Sequence, residues 1–495
     1  MREDGAARGA GGRPSPRYGV TVTTSWVTEL QDALGADSVL TDPDVTAGYA
    51  RDQAMLAPAG IPAAVVLPRS TEDVVAVMQV ATRHGVPVVP RGAGSGLAGS
   101  SNAVDGAITL VMTRMNAVLE VSPADRLAVV QPGVVNKHLR DAVASFGLFY
   151  PPDPSSYDWC TIGGNLSTNS GGLCCVKYGV TTDYVMALEV VLADGRVLRT
   201  GRRTVKGVAG YDLPRLFVGS EGTLGVITEA TLALRPAPKR PVTLAASFGT
   251  TAQTGQVVER VVTSGLVPSL LEVMDNTCIC AVDDLLKADL DRSAHALLVA
   301  QSDTGGAVAV EEIEALAQLC RDAGADFVHT TDDPAEGDLL LQARRMALPA
   351  LELLGTTLID DIAVPRSRIA DFLDGCDAIA GQRGLTVGVV GHAGDGNMHP
   401  TICFDPADDG QRERAFAAFD DICELGLSLG GTITGEHGVG AIKVDWLERE
   451  IGPVALDVHR AIKDALDPDG LLNPGKVFRS ASVRDLPAVA ELSGR

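Results

Sequence analysis

Apolar and polar positions switch period several times along the chain, and the clearest switch lies between residues 63 and 112. Ala63 to Leu67 is a short apolar run with strand spacing. Ser70 and Asp73 follow, spaced as a capping box, and Val74, Val77, Met78 and Ala81 then fall on one helical face up to His84. Gly85 ends that helix. Pro87 to Pro90 is apolar again, and Ile108 to Met112 is the next strand. The pattern predicts a β-α-β unit that delivers residues 91–101, RGAGSGLAGSS, at the C-terminal end of a strand, where ligands of α/β sheets sit. Upstream, the chain begins to fold near Val22, with a short helix from Thr28 to Leu34 and a turn at Asp42-Pro43-Asp44.

Further on, Ala187 to Leu192 and Val197 to Thr200 form a hairpin around Ala193-Asp194-Gly195-Arg196. Pro236-Ala237-Pro238-Lys239 marks a boundary. Beyond it the periodicity predicts strand 242–248, helix 251–264, strands 268–273 and 296–302, helix 308–322 and strand 325–330, a β-α-β-β-α-β order of ferredoxin-like type. A helix is expected over 335–353, strands over 386–391 and Thr432 to Thr434, and helices over 441–450 and 453–466.

A chain of 495 residues with 45% hydrophobic content is long enough for more than one cored domain. Its 41 Lys+Arg against 63 Asp+Glu, a net charge of −22, exclude nucleic acid or an anionic membrane surface as the main partner. Nine cysteines occur without a C-x-x-C pair; Cys174-Cys175 and Cys278-x-Cys280 make no metal framework, and an odd count suits reduced thiols in a cytosol. No apolar run reaches transmembrane length, and residues 1–17 read as a disordered leader.

Three glycine-bearing segments carry the binding signal. In the first, successive N–H groups of a glycine-rich loop can point at a phosphate, with Arg91 at its mouth. Gly94, Gly96 and Gly99 also match G-x-G-x-x-G, with Glu120 at ribose-acid spacing. That match is a decoy, because Asn102 to Gly106 is a turn into a strand rather than the opening of a helix. The second segment, 150–178, starts stiffly at Pro151, Pro152 and Pro154 and then alternates glycines with Thr161, Asn165, Ser167, Thr168, Asn169 and Ser170. The third is 205–228, VKGVAGYDLPRLFVGSEGTLGVIT.

A separate cluster carries reactive side chains. HAGDGNMHP (392–400) and GEHGVG (435–440) put His392, His399, Glu436 and His437 at strand ends on glycine turns. His84, His138, His295, His329 and His459 sit in ordinary helical or strand contexts. Two histidines and a carboxylate suffice to hold a divalent metal with open positions.

Taken together, the three glycine segments resemble the FAD-linked oxidase and dehydrogenase family of the vanillyl-alcohol-oxidase type, in its branch of glycolate oxidase catalytic subunits, D-lactate dehydrogenases and D-2-hydroxyglutarate dehydrogenases. The resemblance spans about Pro62 to Phe478. It implies an α+β fold: a two-subdomain FAD-binding domain over 21–238, a ferredoxin-like cap with the substrate and metal residues over 239–440, and C-terminal helices returning to the FAD domain over 441–478, with a leader over 1–20 and a tail over 479–495. It assigns Arg91, Gly92, Ala93, Gly94, Ser95 and Gly96, with Leu97 and Ala98, to the pyrophosphate. Pro152, Asp153, Thr161, Gly164, Asn165, Thr168, Asn169, Ser170 and Gly171 fall to the flavin and ribityl chain, Glu221, Gly222, Val226 and Ile227 to the adenine side, and Asn473 to the isoalloxazine. FAD is expected to be non-covalent, since loop 91–101 has no histidine, although Cys160, Cys174 and Cys175 lie in the second segment.

The resemblance also gives roles. Arg344 holds the substrate carboxylate, a task suited to its planar fork. His392, His399 and Glu436 bind a divalent metal, zinc first, although the same set suits Fe(II) or Mn(II). His437 is the base, a role suited to the imidazole side chain in general. Some relatives carry a second clamp, a lysine just before the segment matching Asp361 to Pro365, where this chain has Ile359 and Asp360. Pro400-Thr401 follows the second histidine where hydroxyglutarate-active relatives tend to have an asparagine. The expected reaction is therefore FAD-dependent oxidation of a short 2-hydroxyacid, of glycolate or D-lactate type, with hydride passing from C2 to the flavin N5 and the metal polarising the hydroxyl. Alternatives are oxidation of another alcohol or of D-2-hydroxyglutarate, or a non-catalytic flavin-binding subunit of an electron-transfer complex. The expected partners are the small acid and an electron acceptor or electron-transfer subunit that the sequence does not name. A cytoplasmic location is expected, and peripheral membrane association and a homodimer are both compatible with the chain.

Overall fold

The computed structural model describes residues 25–479. The leader expected over 1–20, and all of the expected tail beyond Arg479, lie outside the described residues.

Helix Ser25–Leu34 packs on the first α/β unit. Strands Val39–Leu40, Ala64–Val66, Ile108–Val111 and Val88–Arg91 form one sheet in that order, and the last three run parallel. The crossover is helix Thr71–His84, capped as expected: Ser70 accepts from the Asp73 N–H, and Gly85 closes the helix in the left-handed region. The Asp73 carboxylate turns instead to the Arg69 N–H at 2.7 Å. A second, antiparallel sheet takes strands Val118–Ser122, Leu127–Val130, Val226–Ala233, Val185–Val191 and Val197–Gly201. The segment 150–178 is not all loop, since Thr161 caps a short helix, Ile162–Thr168, that Asn169 ends in the left-handed region.

The third sheet has eight strands. Phe327–Thr331, Val242–Phe248, Ala296–Ser302 and Leu270–Asp275 lie side by side, the fourth-first-third-second order of a ferredoxin-like unit. The expected unit does not end there. Leu270–Asp275, which would otherwise be a bare edge, pairs with Thr386–His392, and the sheet runs on through Asn397–Phe404 to Thr356–Ile359, with Ile362–Ala363 at one end. The cap and the histidine-bearing half are one sheet.

Two expected elements change, and one helix beside them was not expected. The helix expected over 335–353 is two, Pro334–Arg345 and Ala347–Glu352. Pro349 is the reason: its ring would clash with the Arg345 carbonyl in a continuous helix. Helix Asn276–Leu286, capped by Asp275, is additional. Thr432 to Thr434 makes no strand, only one bridge from Thr432 to Ala363. The two C-terminal helices form as expected, joined across a kink at Gly452 and Pro453 within Val444–Leu466.

Alternation divides the large sheet. Leu271, Val273, Val389, Met398, Ile402 and Leu358 face helices Thr251–Ser264, Gly306–Asp322, Ile369–Arg383 and Asp409–Ser428 in the main core. The other face is covered only in part, by helices Asn276–Leu286 and Ala347–Glu352 against Met274, Val390 and Cys403. The uncovered stretch looks into a cavity.

Candidate active site

Strand pairing places the chemistry. Glu272 lies opposite His392, Val390 opposite His399, and Ile359 opposite Thr401. Opposed residues share a face, as do residues two apart on one strand, so all six stand on the cavity side of the sheet. His392 ends its strand as expected. His399 does not sit on a turn: it is inside the ladder of Asn397–Phe404, held to the face by its register.

Glu436 and His437 come from the loop after Thr432, and Asp361 shapes that loop. Its Oδ2 accepts from the Thr434 hydroxyl at 2.7 Å and from the N–H groups of Gly435, Glu436 and His437 at 2.9, 3.0 and 2.9 Å. Below it the buried Lys443 pairs with Asp360 at 2.6 Å and donates to the Asp361 carbonyl at 2.9 Å. Asp360 therefore faces Lys443, and Ile359 lines the cavity.

The histidines converge on one oxygen. Glu436 Oε1 lies 3.5 Å from His392 Nε2, 3.4 Å from His399 Nε2 and 3.8 Å from His437 Nε2. The His399 and His437 rings stack with centroids 5.0 Å apart. Burial alone would raise the Glu436 carboxyl, but the three histidines hold it down to about 2. Burial pushes the His399 ring down to about 3, against the pull of Glu436. His392 is also buried, yet the Glu272 and Glu436 carboxylates raise it well above the ordinary imidazole value. Asp361 Oδ1 and His399 Nδ1 are buried without hydrogen-bond partners, 3.6 Å apart. Ligand atoms of His392, His399 and Glu436 lie within 4.8 Å of one another, and two imidazoles with an ionised carboxylate are a donor set that fits a divalent cation.

Arg344 is buried at the end of helix Pro334–Arg345, and its Nε donates to Glu272 Oε2 at 2.9 Å. Arg345 is exposed. A cavity of about 670 Å³ joins Arg344, His399, Glu436 and His437 to the glycine segments. Arg91–Gly96, Gly164, Asn165, Thr168, Ser170, Glu221-Gly222 and Val226-Ile227 line it. The loop packs too closely for a side chain here: a Cβ on Gly92 would stand 2.3 Å from the Thr161 hydroxyl, so bare backbone is pressed against the start of helix Ile162–Thr168. A Cβ on Gly171 would stand 2.5 Å from Glu436 Oε2, so the second glycine segment abuts the histidine cluster.

The other assigned residues brace this lining from behind. Pro152 accepts from Asn136 at 3.0 Å, Asp153 from the Cys174 N–H at 3.3 Å, Thr161 from the Gly164 N–H at 3.3 Å, and Asn169 from the Thr182 N–H at 2.8 Å. Asn473 donates to the carbonyls of Ser100 at 2.8 Å and Glu221 at 2.6 Å. Arg91 is partly a brace too, with Nη2 on the Arg51 carbonyl at 2.8 Å. Glu221 ties the glycine loop to the histidine loop, accepting from Ser100 at 2.6 Å and from the N–H groups of Val439 and Gly440 at 2.8 Å each. Sequence reading missed Glu272 and the bracing role of Asp361. The signal for Glu272 was present, a single charge inside the apolar run Leu270 to Met274.

A family model described as FAD binding domain matches residues 62–201, and one described as FAD linked oxidases, C-terminal domain, matches 237–477. The glycolate oxidase subunit GlcD of Bacillus subtilis (strain 168) is 43% identical over 419 residues, covering 84% of this chain and 89% of that protein. The D-lactate dehydrogenase of Anaerostipes hadrus is 33% identical over 466 residues, covering 92% and 98%. In fold, p-cresol methylhydroxylase with substrate bound superposes with a TM-score of 0.76 at 18% identity, over 92% of this chain and 96% of that one. The chain belongs to the FAD-linked oxidase and dehydrogenase family of the vanillyl-alcohol-oxidase type, in the branch of glycolate oxidase subunits and D-lactate dehydrogenases. It is an FAD-dependent oxidoreductase.

Proposed function

We propose that this protein oxidises a short 2-hydroxyacid, of glycolate or D-lactate type, to the 2-oxoacid, with a divalent metal held by His392, His399 and Glu436. The observation that carries the reading is the convergence of three imidazole Nε2 atoms on Glu436 Oε1, on the cavity wall that Arg344 also lines. When bound, FAD supplies the two-electron acceptor for the C2 hydride, and the metal supplies a Lewis acid for the substrate oxygens.

The remaining work belongs to the chain. Arg344 binds the substrate carboxylate with its terminal amino groups, since only Nε is engaged by protein. His437, which lines the cavity and is held through its N–H by Asp361, accepts the 2-hydroxyl proton at a ring nitrogen. Among the described residues lining this end of the cavity, Arg344 is the one cation, and Ile359 and Thr401 stand on the same wall. A second substrate carboxylate would find no partner there, which favours monocarboxylic acids over hydroxyglutarate. Both named relatives fit this reading, and the word "subunit" in the first fits transfer of electrons to a separate partner. All nine cysteines are unpaired, in keeping with a reducing cytoplasm, and no helix among the described residues is long and apolar enough to cross a membrane.

A panel of D- and L-2-hydroxyacids with an artificial dye acceptor tests the reading. Turnover of glycolate or lactate well above that of hydroxyglutarate and simple alcohols is expected; turnover of alcohols alone would overturn it.

A further inference from the structure

We infer that Glu272 is the positioning residue that sets the substrate clamp and the metal site at a fixed spacing, one oxygen of its carboxylate for each. The inference rests on the function proposed above and adds a residue to it.

Glu272 is 1% exposed in a strand of Leu, Val and Met, where an unpaired carboxylate is costly. It has two partners from different elements. Oε2 accepts from Arg344 Nε at 2.9 Å, on helix Pro334–Arg345, and Oε1 meets His392 Nδ1 at 2.7 Å, on the neighbouring strand. Which atoms are engaged matters more than the pairing itself. Taking the guanidinium by Nε leaves the two terminal amino groups, the fork that matches a carboxylate, free for substrate. Taking the imidazole by Nδ1 makes Nε2 the one ring nitrogen left for a metal, and Nε2 is the atom that faces Glu436. The strand register produces the second contact, because Glu272 and His392 are directly opposed in the ladder. Substrate grip and metal grip are thereby separated by the width of one carboxylate. The comparable pair, Asp361 and His399, is 3.6 Å apart and makes no hydrogen bond, so Glu272 alone has this double role among the described residues.

Glu272→Gln is the direct test. Glutamine keeps the shape but turns one acceptor into a donor, which must face either Arg344 Nε–H or His392 Nδ1–H. With FAD content equal to that of wild type, the zinc dissociation constant measured against a chelator should rise about 10–100-fold. At saturating zinc, KM for glycolate or D-lactate should rise about tenfold or more while kcat falls less, and Glu272→Asp should recover part of both effects. A variant that is merely less heat-stable, with zinc affinity and KM unchanged, would overturn the inference. Nitrogen-15 histidine spectra of the zinc-loaded wild type need no variant and should show His392 protonated at Nδ1; a bare Nδ1 would overturn it equally. Wild type that takes up no metal would defeat the proposed function as well, whereas wild type that binds zinc through Glu436 beside an unaffected Glu272→Gln protein would defeat this inference alone.

Discussion

Asp361 Oδ2 accepts the backbone N–H of His437 at 2.9 Å, and the same oxygen takes the two preceding N–H groups. One buried carboxylate oxygen therefore shapes the loop that carries both a proposed metal ligand and the proposed base. Burial would raise this carboxyl, but His437, Lys443, His399 and the loop N–H groups hold it far below the carboxylate range. Asp361→Ala should strand those donors at about 1–3 kcal/mol for each one that water does not reach, and should abolish metal binding. Chemical denaturation and metal analysis check it; FAD should remain, because its lining lies mostly on other segments.

Arg344→Lys keeps the charge beside Glu272 but removes the fork. We expect kcat/KM for the hydroxyacid to fall by about 1.5–3 kcal/mol of transition-state binding, with an unchanged flavin spectrum. Arg345→Ala, at an exposed position on the same helix, should behave as wild type. Steady-state kinetics on the pair decide which arginine is the clamp.

FAD should come away from the protein on acid precipitation, leaving yellow supernatant. Loop 91–101 has no histidine, and none of Cys160, Cys174 and Cys175 lines the cavity. Burial also pushes all three thiols upward, away from the thiolate that attachment would need. Flavin that stays with the pellet would contradict this.

Much of the glycine-loop side of the cavity was legible because its signals are local. Ser70, Gly85 and the glycines of 92–99 act within a few residues of themselves, and the structure keeps them where the pattern put them. His399 was harder, since its place depends on a ladder with Thr386–His392 that local pattern did not reveal. Glu272 showed only as a lone charge in an apolar run, and its role was hidden for the same reason: its meaning comes from facing His392 across two strands far apart in sequence. The break at Met346 was readable in principle from Pro349, and the continuous apolar periodicity concealed it.

Lys476 gives a pH dependence. Burial lowers this ammonium from its ordinary 10.5 to about 8, against the pull of Asp52 and Glu221. Between those values the unfolded chain binds the proton and the folded chain does not, so this group makes stability rise with pH across roughly 8 to 10.5. In FAD-free protein, wild type should therefore gain on Lys476→Met over that window, by up to about 3 kcal/mol at about 1.4 kcal/mol per unit. Urea denaturation of both proteins at the two ends of the window measures it. A difference that stays flat with pH would refute the assignment.

Hydroxyacid oxidation at this flavin is expected to need the metal proposed at His392, His399 and Glu436. Anaerobic mixing of FAD-loaded protein with glycolate or D-lactate, followed by flavin absorbance, tests it without any electron acceptor. We expect bleaching by wild type, none after chelation or in Glu436→Gln, and recovery when zinc is returned to the chelated wild type. Bleaching at the native rate in chelated protein, or no bleaching of metal-loaded wild type by any 2-hydroxyacid, would contradict it.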